Sequence, residues 1–335
     1  MTDAPAGAEA GPARGAPDRT AGESSGAAVP GGTAPRGLLV VGDVVTDVVA
    51  RHRGPLAPAT DTAAEIRTVP GGAGANAACW AARSGCADVR VLGRVGSDAL
   101  AWHERRLRRA GVRPLLIADP AAPTATVVSL VDTATAERTF LTDSGAVLRI
   151  SPADWNPAFL DGVGRLHLSG YLFFADASRE LALTACRSAL DAGVPVSLDP
   201  ASAGFLAELG VERFLAAAEG VEVLLPNADE ARLLTGCAEP AGAAAELSRR
   251  FPLVAVTLGA AGALVAVAGE VVARVPAPLP DAAPVDSTGA GDAFTGGFLA
   301  ALLAGADPAG AATAGCLAGA EAVTVVGGRP PPVLG

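Results

Sequence analysis

Gly37-Leu38-Leu39-Val40-Val41 is the stretch on which the fold turns. Consecutive apolar residues without alternation describe a strand covered on both faces, as in the interior of a parallel sheet. From there the chain alternates. Helical patterns fall at 76–84, 99–110, 178–192, 212–219, 229–235, 241–250, 292–304 and 308–322, and strand patterns at 89–93, 165–168, 194–198, 221–225, 253–258 and 263–267. Strand and helix in turn predict a doubly wound, mostly parallel α/β sheet flanked by helices, with right-handed crossovers. Segments 50–69 and 112–141 break the rhythm with short β-type runs and no helix between them. They are expected to form a small separate β lid over a site. Residues 1–36 are Ala, Gly, Pro, Ser and Thr with scattered charge, too poor in apolar surface to offset ordering entropy, and read as a disordered tail. Residues 37–335 read as one domain.

The composition narrows the chemistry. Half of the 335 residues are hydrophobic but only 4% are aromatic, so the core is expected to pack small side chains closely. The net charge of −10 repels nucleic acid and anionic membrane, so neither is an expected partner. All 25 basic side chains are arginine, which excludes a Walker-A lysine, a Schiff-base lysine and a lysine base. Phosphate chemistry must then use backbone N–H groups, arginine or metal. Cys79, Cys86, Cys186, Cys237 and Cys316 are scattered without C-x-x-C spacing, as buried thiols in a reducing cytoplasm would be.

Two glycine motifs stand out. In Asp286-Ser287-Thr288-Gly289-Ala290-Gly291-Asp292-Ala293-Phe294 the glycines leave amides open at a helix N-terminus, where the unpaired donors and the dipole favour an anion. Asp292 falls in the first turn. It reads either as a favourable N-terminal charge or as the acid that accepts a proton from an attacking hydroxyl. In Gly71-Gly72-Ala73-Gly74-Ala75-Asn76, opening the next helix, Asn76 reads either as a helix cap or as an amide for ligand hydroxyls. A dinucleotide fingerprint fits poorly here, because that turn belongs directly after the first strand.

Residues 71–85 and 286–298 resemble the two signatures of the ribokinase-like (PfkB) family of carbohydrate and nucleoside kinases, in the family's order. The resemblance covers the chain from Gly37 onward. It implies a ribokinase-like fold and ATP-dependent phosphorylation of a hydroxyl of a sugar or sugar-like molecule. Asp292 is then the base, and the backbone of Gly289, Ala290 and Gly291 the anion hole. Gly42-x-x-x-x-Asp47, read at the end of the first strand, makes Asp47 a sugar ligand together with Gly72 and Asn76. Asn227 and Glu230 match an element associated with Mg²⁺ through water and with phosphate; from the residues alone, Glu230 is a first-turn charge. Thr257, Gly259 and Gly262 resemble the nucleotide-binding turn, or an ordinary hairpin. Residues 326–330 resemble a loop beside the adenine pocket. Some relatives bind K⁺, and some dimerise through lid strands. Other readings of the acceptor are a nucleoside, or a phosphosugar met by Arg51, Arg53, Arg67 or Arg113; a more distant one is a non-catalytic sugar-binding protein.

Overall fold

The computed structural model describes residues 37–132 and 138–331. The predicted tail over 1–36 lies outside the described residues. In chain order the strands are β1 (Gly37–Val41), β2 (Val45–His52), β3 (Ala64–Gly71), β4 (Val89–Gly96), β5 (Val112–Asp119), β6 (Thr126–Asp132), β7 (Arg138–Asp143), β8 (Val163–Ser169), β9 (Val196–Asp199), β10 (Val223–Leu224), β11 (Leu253–Thr257), β12 (Ala263–Val267) and β13 (Glu270–Val275). The helices are α1 (Ala73–Arg83), α2 (Leu100–Arg109), α3 (Asp176–Asp191), α4 (Ala203–Leu209), α5 (Val211–Ala217), α6 (Ala228–Thr235), α7 (Pro240–Leu247), α8 (Ala290–Leu303) and α9 (Pro308–Ala322).

Nine strands form the main sheet in the order β13-β12-β11-β10-β9-β8-β1-β4-β5. Pairing is parallel from β5 through β11, and β12 and β13 complete the edge as antiparallel hairpin strands. β1 is covered on both faces as its sequence predicts. Leu39 and Val41 enter the core beneath α3 to α7, and Leu38 and Val40 the core beneath α1, α2, α8 and α9, all four with no exposed surface. The small-residue core is visible where α1 meets α8: a Cβ on Gly296 would stand 2.6 Å from the Ala77 carbonyl oxygen. Only glycine permits that approach.

β2, β3, β6 and β7 form a second sheet in the order β3-β2-β6-β7. The predicted separate β segments exist, with different limits. β2 starts at Val45, so Asp47 belongs to this small sheet and not to the end of the first strand. The run from Val112 is instead β5, an edge strand of the main sheet; there Pro114 costs no ladder bond, because only β4 pairs with it. Sequence pattern also missed α4 and β13, both short and partly exposed.

Candidate active site

A cavity of about 500 Å³ is lined by both sheets and by the start of α8. Asp47, Gly72, Asn76, Asn227, Glu230, Thr257, Gly291 and Asp292 all line it, so residues predicted from five separate stretches of sequence converge. Gly289 and Ala290 stand just behind Gly291 in the same turn, and Gly259 and Gly262 lie one turn beyond Thr257. Thr257 to Ala263 is a hairpin connection, closed by Leu258 N–H donating to the Gly262 carbonyl at 2.8 Å.

The first glycine turn is built by Asp43, which the sequence reading passed over although it adjoins Gly42. Its carboxylate accepts from Ala73 N–H at 2.7 Å and Gly74 N–H at 3.1 Å, occupying the open donors at the start of α1, and from the Ser169 hydroxyl at 2.8 Å. Gly72 is the N-cap, with φ of 94° and no room for a Cβ against the Asp43 carbonyl, 2.5 Å away. Asn76 is therefore not the cap. It is buried one turn inside α1, and its Nδ2 donates to Asp292 Oδ2 at 2.8 Å. Its Oδ1 is buried without a hydrogen-bond partner in a side chain that lines the cavity.

Gly289 caps α8 in the left-handed conformation, φ 74°. The Ala290 N–H is already directed at the Ser287 carbonyl, at 3.3 Å. A Cβ on Gly291 would meet nothing within 4 Å, so this part of the helix start is open to the cavity. Open first-turn donors beside Asp292 make an anion seat next to a proton acceptor.

Four carboxyl groups around the cavity are pushed upward. Burial raises Asp292 well above the carboxylate range, with the Asn76 hydrogen bond opposing and Asp199, Asp43 and Asp47 adding repulsion. Burial takes Asp47 to about 7, opposed by the Arg329 charge. Asp199 and Glu230 are raised by burial too, Glu230 also by Asp199. Asp199, at the end of β9, was not foreseen; it accepts from the Thr295 hydroxyl at 3.2 Å. Glu230 forms a capping box with Asn227, accepting from its backbone N–H at 2.9 Å and its Nδ2 at 2.7 Å. Glu230 thus closes the start of α6 and also lines the cavity.

Arg51 is the one basic side chain among the described cavity-lining residues. Of the other arginines considered for a phosphosugar, Arg67 is bound to Glu65 and Arg113 lies 3.9 Å from Asp88. Residues 326–330 pack against the first glycine turn: Trp80 Nε1 donates to the Gly328 carbonyl at 2.9 Å and Arg329 to the Gly71 carbonyl at 3.1 Å.

Over residues 36–333 the chain matches the pfkB family of carbohydrate kinases, and it belongs to that family. It is 33% identical to a fructokinase of Klebsiella pneumoniae, across 80% of this chain and 84% of the relative. The fold matches the adenosine kinase of Sinorhizobium meliloti with a TM-score of 0.79 at 24% identity, over 89% of this chain and 96% of the other. It also matches a putative ribokinase II of E. coli solved with ATP and Mg²⁺, with a TM-score of 0.76 at 23% identity, over 87% and 94%. The chain is a phosphotransferase acting on an alcohol group of a sugar or sugar-like molecule. Family membership implies ATP and Mg²⁺. Asp199 and Glu230, both at the cavity, carry carboxylate oxygens of the hard kind magnesium takes, while the Asn227 Oδ1 is already engaged with the Asp229 and Glu230 N–H groups. None of the described helices is long and apolar enough to cross a membrane.

Proposed function

We propose that this kinase phosphorylates a primary hydroxyl of a free sugar, with Asp292 as the base. The observation that carries this is the placement of the Asp292 carboxyl, hydrogen-bonded to Asn76 beside the open start of α8, in one cavity with Asp47. Asp47, Gly72 and Asn76 hold the acceptor hydroxyls. Asp292 takes the hydroxyl proton as that oxygen attacks the γ-phosphorus; the new O–P bond forms as the bond to the β-phosphate oxygen breaks, and ADP leaves. The amides of Gly289 and Gly291 bind the migrating phosphoryl group, joined by Ala290 once its N–H gives up the Ser287 carbonyl. Asn227, Thr257, Gly259 and Gly262 border the nucleotide, and Glu230 holds Mg²⁺ through water. Mg²⁺, when bound, neutralises charge on the phosphates. K⁺ near the second signature is an additional proposal, as is a cytoplasmic site of action, which suits five free thiols.

The fructokinase relative and the dispersal of Arg67 and Arg113 favour an unphosphorylated ketose. A nucleoside acceptor is favoured by one observation: the cavity face of the small sheet presents Val49, Val127 and Phe140, apolar surface for a base. The opposite face of that sheet exposes Ile66 and Leu141, which supports a homodimer through the lid sheets. The deciding experiment is ADP release with D-fructose, D-ribose, 2-keto-3-deoxygluconate, fructose phosphates and adenosine in parallel. Turnover of none of them by folded, ATP-binding protein defeats this reading.

A further inference from the structure

Residues 326–330 thread between the two glycine turns. Gly327 N–H donates to Asp286 Oδ2 at 2.9 Å, and the Gly328 carbonyl accepts from Trp80 at 2.9 Å. Gly328 also packs so closely on the α8 cap that a Cβ on Gly289 would lie 2.4 Å from the Gly328 Cα. The segment ends in Arg329, whose Nη2 donates to the Gly71 carbonyl, 258 residues away in sequence, at 3.1 Å.

Arg329 is an uncommon kind of arginine. Its Nη2 is spent on a backbone carbonyl, and its Nε and Nη1 are buried without hydrogen-bond partners. Burying a guanidinium in that state costs stability unless its charge serves something nearby. The anion it faces is Asp47, across the Gly71 peptide: a Cβ on Gly71 would lie 2.1 Å from Asp47 Oδ2.

We propose that Arg329 is a positioning residue for the acceptor: it clamps the Gly71 carbonyl and supplies the cation facing Asp47, so that Asp47 meets ligand hydroxyls as a fixed carboxylate. This rests on the kinase reading in which Asp47 binds the acceptor. The charges around Asp47 make the balance plain. Asp43 before β2 and Asp286 before α8 both disfavour its ionisation, as does burial. Arg51 lies further along the same strand, and His103 of α2 is held neutral by burial, about 3, against Thr46. Among the groups that shift Asp47, Arg329 is the one that favours the charged form.

The test compares wild type, Arg329→Met, Arg329→Lys and Asp47→Asn, with D-fructose, D-ribose and adenosine as acceptors. Removing the charge is expected to raise the acceptor KM about tenfold and to move the acid limb of kcat/KM for the acceptor upward by about one pH unit. The KM for ATP stays within about twofold, because Arg329 touches the acceptor turn alone. Arg329→Lys keeps the limb near its wild-type position, and Asp47→Asn leaves only the limb that Asp292 sets, which Arg329→Met no longer moves in that background. The proposal is overturned by an unmoved limb in Arg329→Met, by an equal shift in Arg329→Lys, by parallel loss of ATP and acceptor affinity, or by failure of both arginine variants to fold. Absence of turnover by wild type on every acceptor defeats the kinase reading instead.

Discussion

Asn76 Nδ2 lies 2.8 Å from Asp292 Oδ2, joining the start of α1 to the start of α8 across 216 residues of sequence. The contact ties the two signatures into one site. It also favours the ionised form of a carboxyl that burial pushes strongly toward the neutral acid.

Replacing Asp292 by Asn keeps size and hydrogen-bonding capacity but removes the proton acceptor. Turnover is expected to fall at least about a hundredfold. ATP binding by calorimetry and the melting temperature stay close to wild type. Steady-state ADP release at saturating substrates is the measurement, and near wild-type kcat removes Asp292 from the mechanism.

Asn76→Ala takes away the donor that stabilises the Asp292 carboxylate. The acid limb of the kcat–pH profile is then expected to move to higher pH, since the remaining influences on Asp292 all raise it. The acceptor KM rises as well, through loss of the free Asn76 Oδ1. A kcat limb that stays in place or moves to lower pH contradicts the electrostatic role.

The acidic cavity carries a stability cost whose direction can be measured. Asp47 moves from 3.8 to about 7 on folding. Between those values the unfolded chain has released a proton that the native state keeps, so this group's contribution falls as pH rises through that window and is lowest above it. In the absence of Mg²⁺ and nucleotide, Asp47→Asn is therefore expected to melt above wild type at about pH 8, the gap closing near pH 4. A lower melting temperature at the alkaline end counts against the raised value.

Gly296 sets the spacing of α1 and α8. Gly296→Ala places a methyl group 2.6 Å from a carbonyl oxygen of α1 and is expected to cost about 1–3 kcal/mol. Chemical denaturation reads that loss directly. Because the displaced helices carry Asn76 and Asp292, kcat falls along with stability in the folded fraction.

Much of the fold was legible because its signals are local. The uninterrupted Leu38–Val41 run could only be a strand covered twice, and β1 is just that. The glycine turns announced helix starts, and both turns open helices at the cavity. β5 was misassigned because Pro114 and the absence of a helix between it and the following β-type runs look alike in a lid strand and in a sheet edge. Asp43 and Asp199 were missed because a lone aspartate after a strand carries no periodicity. Arg329 was read only as part of a loop beside the adenine pocket, because its partners are a backbone carbonyl and a charge far away in sequence.

The sequence by itself determined the α/β class, the absence of lysine and the two glycine turns that open helices, since each depends on neighbouring residues and backbone freedom. Tertiary structure alone decided that Asn76 reaches Asp292 instead of capping its helix, and that Asp47 stands on the small sheet with its pKa lifted. It likewise decided that a buried arginine near the end of the chain faces Asp47. Burial and charge–charge distance are properties of the packed chain, and neither can be read from the order of residues along it.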